Sequence, residues 1–245
     1  MGRLWRQLGT VGRLAAFPGA QHVACYNSSA VPENRSFSFK SGSLTLEALV
    51  HLPGDTPAPG IVVCHPHPTY GGDMHNNVVS AICETAVENG IAALRFNFRG
   101  TGASEGNYAN GIGEQDDVRA AVAYLGTLPE IDGQRIALAG YSFGAAVAVR
   151  AAASVAGLRA FIGVSVPTMM PLDGVTMPCP ALFVSGDADE YSDAGDLTVF
   201  VQGLGLQAEL KLLPGLGHFW FGVEHELRGI IMPFLKKHLV GIRAA

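Results

Sequence analysis

The sequence predicts an α/β protein: a doubly wound, mostly parallel sheet entered through an N-terminal antiparallel hairpin. Three observations carry that expectation. Short apolar runs of strand length alternate with helical segments from residue 60 onward. Those runs are apolar on both faces, as strands covered by helices on each side must be. Of the 245 residues, 48% are hydrophobic and only 15% are charged, which supplies a large core and excludes a disordered chain.

Residues Ser36 to Lys40 and Ser43 to Leu52 flank the turn Ser41-Gly42, and Leu44, Leu46, Ala48 and Val50 alternate along the second run, which predicts the hairpin. The following strands are expected over Gly60–His65, Ile91–Phe98, Arg135–Ala139, Ala160–Val166, Ala181–Ser185 and Ala208–Leu213. Helices are expected near Asn76–Asn89, Gly113–Leu128, Phe143–Val155, Asp193–Gly203 and Val223–His238. No repeat or linker interrupts this order, so residues 36–245 read as one catalytic domain and residues 1–35 as a basic extension.

The net charge of −5 leaves no basic stripe for a phosphate backbone, so a nucleic-acid role is not expected. Charge is unevenly spread: Arg3, Arg6 and Arg13 precede the first acid, Glu33, and the remainder sets 13 Lys and Arg against 21 Asp and Glu. Leu4, Leu8, Val11 and Ala15 recur near helical spacing beside Trp5, which suits a short amphipathic helix. Its apolar stretch is broken by Gln7 and Arg13, against a secretory signal, and it is expected to be dispensable for activity. Cys25, Cys64, Cys83 and Cys179 lack CxxC spacing, so reduced thiols and a cytoplasmic location are expected. No run reaches the roughly 18 to 20 apolar residues of a membrane span.

One stretch concentrates chemistry. Gly140-Tyr141-Ser142-Phe143-Gly144 stands between a strand and a small-residue helix. In a G-x-S-x-G elbow the turn is so tight that the serine is strained, glycines two positions either side relieve crowding, and the hydroxyl projects at a helix N-terminus. Ser142 is therefore the candidate nucleophile. An alcohol needs a base and the base an orienting acid. Asp187, Asp189 and Glu190 follow the strand ending at Ser185, with Asp189 favoured because Asp187 sits against Gly186 and can close the turn. Of eight histidines, only His218 combines a glycine-rich loop after the last strand with a position beyond the acid.

The first crossover loop reads His65-Pro66-His67-Pro68-Thr69-Tyr70-Gly71. An oxyanion hole takes one backbone N–H from the residue after the nucleophile, here Phe143, and a second from this loop. Pro66 and Pro68 have no N–H, which leaves His67, Thr69, Tyr70 or Gly71, with His67 and Tyr70 preferred. A metal site on His65, His67 and His75 is not expected, since prolines interleave them without an acidic ligand set, and no cofactor is signalled. Gly100, Gly102 and Gly106 place the last glycine one residue late for a dinucleotide fingerprint. Asp116 and Asp117 are expected to serve a helix dipole.

Together, the His-Pro-His-Pro loop, Arg95-Phe-Asn-Phe-Arg-Gly-Thr-Gly, the Gly140 to Gly144 elbow, Gly186-Asp-Ala-Asp189 and Gly217-His218 resemble the α/β-hydrolase superfamily over residues 36–239. The combination is similar to a compact bacterial subgroup of dienelactone-hydrolase-like or serine-aminopeptidase-like proteins. The resemblance implies an α/β-hydrolase fold and supports Asp189 as the acid, three residues after the glycine. It departs from the family pattern where His-Pro replaces His-Gly after the first parallel strand. Lids of this superfamily are inserted before the strand corresponding to Ala181–Ser185; here only Pro167 to Pro180, with four prolines, stands there, so no lid is expected.

An open site flanked by Tyr70, Tyr141, Met169, Met170, Phe219 and Trp220 follows, suited to a small ester with a short acyl or aryl group. The expected function is a serine esterase working through a Ser142-His218-Asp189 triad. A serine peptidase or amidase on small aminoacyl substrates is the alternative, and a non-catalytic scaffold the other. Nothing in the sequence speaks to the oligomeric state.

Overall fold

The computed structural model describes residues 33–241. Residues 1–32 of the N-terminal extension, with its amphipathic pattern and Cys25, lie outside them, while 33–35 belong to the first strand. Eight strands form one sheet in the order β1-β2-β4-β3-β5-β6-β7-β8. The hairpin is β1 (Glu33–Ser41) and β2 (Leu44–Leu52), paired from Glu33↔Leu52 to Ser41↔Leu44, and β2 runs antiparallel to β4 (Ala92–Phe96). From β4 onward all neighbours are parallel: β3 (Ala58–Cys64), β5 (Ile131–Tyr141), β6 (Leu158–Val164), β7 (Ala181–Gly186) and β8 (Ala208–Leu213). β1 begins three residues before the expected Ser36, and β5 extends four residues before Arg135.

The period-2 alternation of each strand sends side chains to two cores. Ile61, Val63, Ala137, Ala139 and Tyr141 meet α1 (Asn77–Glu88) and α5 (Glu224–Leu235) on one face. Val62, Cys64, Ile136 and Leu138 meet α2 (Glu114–Leu125), α3 (Phe143–Ala152) and α4 (Ala194–Gly203) on the other. Side-chain caps mark two of the five α-helix starts: the Asn76 side chain accepts from Val78 N–H and the Asp193 side chain from Asp196 N–H. No helix among the described residues is long and apolar enough to cross a membrane.

Asp116 and Asp117 stand in the first turn of α2, as expected, and Asp117 does more than meet the helix dipole. Its buried carboxylate accepts from the Arg99 Nε and Nη2 at 3.0 and 2.7 Å, from Arg99 N–H and from Ser41 Oγ at 2.7 Å, cross-linking the hairpin, the loop after β4 and α2. A buried carboxylate requires such partners, which the position of Asp117 in the helix alone does not disclose.

The chain turns back across the sheet between β3 and β5, with β4 to one side and β6 to β8 on the other. In doubly wound sheets a crevice opens beyond the carboxyl ends of the strands at such a reversal. The stretch between β6 and β7 contains no helix, so no lid stands over that edge.

Candidate active site

Ser142 sits at the end of β5, at the reversal. Its φ of 54° and ψ of −126° are a conformation that L-residues rarely adopt, and its N–H donates to Val164 O at 2.9 Å. Both glycines of the elbow are forced by space. A Cβ on Gly140 would stand 2.5 Å from Gly144 O, and one on Gly144 would stand 2.6 Å from Cys64 O and overlap the His65 carbonyl. The elbow is therefore pressed against the end of β3, which brings the His65–Gly71 loop beside it.

The structure draws His218 and Asp189 to the same point. His218 Nε2 is 2.9 Å from Ser142 Oγ, and its Nδ1 is 2.8 and 3.0 Å from the two Asp189 oxygens. Asp189 also accepts from Tyr191 N–H and Ser192 N–H at 3.0 Å and from Ser185 Oγ at 3.2 Å. Burial works to raise the Asp189 carboxyl, but the hydrogen bond and charge of His218, with the Tyr191 N–H and the Ser165 side chain, outweigh it and hold the group below the usual carboxylate range. An ionised Asp189 assigns the Nδ1 proton to His218 and leaves Nε2 free to accept from Ser142.

Asp187 plays a different part. Its Oδ1 accepts Gly215 N–H at 2.6 Å, tying the acid loop to the histidine loop. Ala188 N–H donates to Leu216 O at 3.1 Å, and a Cβ on Gly186 would overlap that same Leu216 carbonyl.

The backbone N–H groups of Phe143 and His67 have no acceptor among the described residues. The other loop candidates are committed elsewhere. Tyr70 N–H donates to His67 O at 3.1 Å and Gly71 N–H to Pro68 O at 3.1 Å, closing the short 3-10 turn Pro68–Tyr70, while Thr69 N–H reaches His67 Nδ1. Tyr70 is thus corrected: its N–H is consumed by its own turn, and its ring is 87% exposed. The His67 ring is braced by Tyr108 Oη at 3.0 Å from Nε2 and packs on Phe143 with centroids 4.7 Å apart. Tyr108, which no sequence motif singles out, stands on a loop whose Ala109 and Gly111 N–H groups bind the buried Glu114 carboxylate at 2.7 and 2.8 Å.

Among the residues expected to flank substrate, Met169 and Phe219 are 71% and 57% exposed, and Tyr191 and Phe221 join them at the surface. Tyr141 and Trp220 do not. Tyr141 points to the α1–α5 face, stacks under His218 at 5.5 Å and donates from Oη to His218 O at 3.0 Å. Trp220 is wholly buried, and its Nε1–H is spent on Ser165 Oγ at 3.1 Å. Two surface clefts of about 420 and 490 Å³ lie along the hairpin, lined by residues such as Thr45, Glu47 and Arg99, and neither includes Ser142, His218 or Asp189.

His65 is buried and structural. Its Nδ1 is 2.6 Å from Pro66 O and its Nε2 accepts Phe98 N–H at 3.0 Å, an arrangement that only the neutral ring satisfies; burial lowers its pKa to about 4. No group of three or more His, Cys, Asp or Glu among the described residues could hold a metal ion. Burial likewise pushes the Cys83 and Cys179 thiols up to about 12.

A mostly parallel sheet without a lid, an elbow serine at the strand reversal and a hydrogen-bonded Ser-His-Asp chain define an α/β hydrolase. The model of the X-Pro dipeptidyl-peptidase (S15) family matches residues 42–197, and the chain belongs to that family. The match spans Ser142 and Asp189 and stops short of His218. An uncharacterized protein of Rickettsia prowazekii is 34% identical over 188 residues, 73% of this chain and 79% of its own. Among solved structures, an α/β serine hydrolase homologue from Coxiella burnetii is 32% identical with a TM-score of 0.75, covering 84% of this chain and 100% of its own. A serine hydrolase without a lid from Xanthomonas campestris is 32% identical with a TM-score of 0.74, covering 89% and 99%.

Proposed function

We propose that this hydrolase cleaves small carboxylic esters, with short acyl or aryl groups, through Ser142, His218 and Asp189. The observation that carries the reading is the continuous chain from Ser142 Oγ through both nitrogens of His218 to a buried carboxylate, with steps of 2.9 and 2.8 Å. His218 Nε2 takes the Ser142 proton as Oγ bonds to the substrate carbonyl carbon, and the carbonyl π pair moves to oxygen. The N–H groups of Phe143 and His67 receive that oxyanion, each contributing about 10² to 10³ in rate. Collapse of the tetrahedral intermediate expels the alkoxide, which takes the proton from His218 Nε2 and leaves an acyl-enzyme. Water then repeats the sequence and releases the acid. Asp189 remains ionised throughout, holding the tautomer and stabilising the imidazolium.

The exposed rings of Tyr191 and Phe219, 4.7 and 5.5 Å from that of His218, and the helix-free stretch between β6 and β7 support small substrates taken up at an open edge. The family match supports a second reading, hydrolysis of small aminoacyl amides by the same residues. The inert, buried thiols of Cys83 and Cys179 support a reducing compartment, the cytoplasm.

A fluorophosphonate probe should label wild-type protein and not Ser142→Ala, and p-nitrophenyl acetate or butyrate should be turned over only by the former. Faster turnover of aminoacyl p-nitroanilides than of the esters would favour the second reading. Undiminished ester hydrolysis by Ser142→Ala would sink both.

A further inference from the structure

We propose that Tyr108 is a positioning residue that holds the Pro66–His67 peptide, and with it the His67 N–H, in place for the oxyanion; the inference deepens the hydrolase reading above and rests on it.

Every polar group of His67 except that N–H is occupied. Its carbonyl accepts Tyr70 N–H at 3.1 Å and Gly72 N–H at 3.0 Å. Its Nδ1 accepts Thr69 N–H at 3.3 Å, with Thr69 Oγ1 at 3.0 Å. A backbone N–H can only donate, so Nδ1 carries a lone pair and the neutral ring bears its proton on Nε2. Nε2–H therefore donates to Tyr108 Oη, 3.0 Å away. A ring held at both nitrogens and packed on Phe143, with centroids 4.7 Å apart, cannot turn without breaking one of these contacts.

The same peptide is gripped at its other end. Pro66 O belongs to the planar unit that carries the His67 N–H, so fixing the carbonyl fixes the direction of the donor. That oxygen lies 2.6 Å from His65 Nδ1, and since His65 Nε2 accepts Phe98 N–H, Nδ1 is the donor. A Cβ on Gly72 would overlap the same carbonyl. A donor on Pro66 O also polarises the amide and strengthens its N–H toward an anion. The carbonyl end is thus set by a buried ring and by backbone, whereas the Cα end depends on the His67 ring, and so on Tyr108.

Tyr108 is itself rigidly presented. The next residues, Ala109 and Gly111, give their N–H groups to the buried Glu114 carboxylate, and Asn110 between them has a φ of 56°, where few residues other than glycine sit. A Cβ on Gly100 would stand 2.9 Å from Tyr108 N, so the loop after β4 backs this one. Backbone strain held by surrounding structure marks a geometry that the site requires.

The test uses Tyr108→Phe, His67→Phe and the double variant. Tyr108→Phe removes only the hydroxyl and keeps the ring that packs on His67 and Phe143 at 5.0 and 5.7 Å. Its Tm should stay within a few degrees of wild type, while kcat for p-nitrophenyl acetate falls about five- to twenty-fold with little change in KM. A trifluoromethyl ketone reads the oxyanion alone. Ser142 Oγ bonds to its carbonyl carbon, the hydroxyl proton passes to His218 Nε2, and the π pair becomes an oxyanion with no leaving group. Its Ki should rise by the same factor as kcat falls, a correspondence that a general loosening of the fold would not produce. His67→Phe keeps the backbone N–H and loses both ring contacts, so its loss should be at least as large, and the double variant should match it. Wild-type kcat and Ki in a folded Tyr108→Phe, or additive effects in the double variant, would overturn the proposal. Labelling by a fluorophosphonate counts active sites in each protein. Its absence in wild type would refute the triad itself, whereas a labelled wild type with an unaltered Tyr108→Phe refutes the role of Tyr108 alone.

Discussion

Lowering the pH should destabilise this protein in part through His65, and the size of that contribution follows from the burial of its ring. In the folded chain both ring nitrogens of His65 are engaged as a neutral imidazole requires, with Nε2 accepting Phe98 N–H and Nδ1 bonded to Pro66 O. Burial lowers its pKa from 6.5 to about 4. Between those values the unfolded chain binds a proton that the folded chain refuses. Stability is then fully present above about pH 6.5 and falls as the pH drops toward 4, where the folded ring also titrates. The difference corresponds to about 3 kcal/mol, or roughly 6 to 12 °C in Tm for a domain of this size. His51, whose burial and neighbouring Arg95 also lower it to about 4, acts in the same direction, so the assay must be a difference. Urea melts of wild type and His65→Gln at intervals from pH 7.5 to 4 supply it. The variant starts less stable, and its curve should be flatter than wild type by about 3 kcal/mol across the window. Parallel loss of stability in the two proteins would exclude His65 as the cause.

Two substitutions probe the site itself. Asp189→Asn places an amide among the donors at that point and favours the tautomer with a proton on His218 Nε2, so kcat should fall by about 10³ to 10⁴ with Tm within a few degrees of wild type; steady-state kinetics within tenfold of wild type would contradict it. Gly144→Ala drives a methyl into the Cys64 and His65 carbonyls and must separate α3 from β3, so probe labelling of Ser142 should slow by about 100-fold or more. Labelling at the wild-type rate would show that the elbow has room to give.

Much of this arrangement was legible in the sequence because it depends on local rules. The elbow needs two glycines at fixed offsets, apolar runs of strand length separate the helices, and Asp189 and His218 follow strands that end at one edge. Side-chain direction was harder to read. Tyr141 alternates with Ala137 and Ala139, and that parity already sends it to the α1–α5 face, but its nearness to Ser142 in sequence suggested a substrate contact. Trp220 neighbours exposed Phe219 and Phe221, yet is buried in the α1–α5 core with its indole N–H satisfied by Ser165 Oγ, 55 residues away. Asp117 is decided by Arg99 and Ser41, which belong to other elements. The oxyanion candidates in the first loop narrowed only once its 3-10 turn was seen to use the N–H groups of Tyr70 and Gly71. Each of these depends on a partner distant in sequence, or on a turn type that residue identity leaves open.

The near-contact of Gly186 with the Leu216 carbonyl links the loops that present Asp189 and His218. The spacing of the Asp189 and His218 loops is set there by close backbone approach, beside the hydrogen bond from Gly215 N–H to the Asp187 side chain. A single methyl at residue 186 would act as a wedge between the two loops, though it touches neither imidazole nor carboxylate. A residue with no functional group of its own thus limits how the loops bearing Asp189 and His218 can pack together.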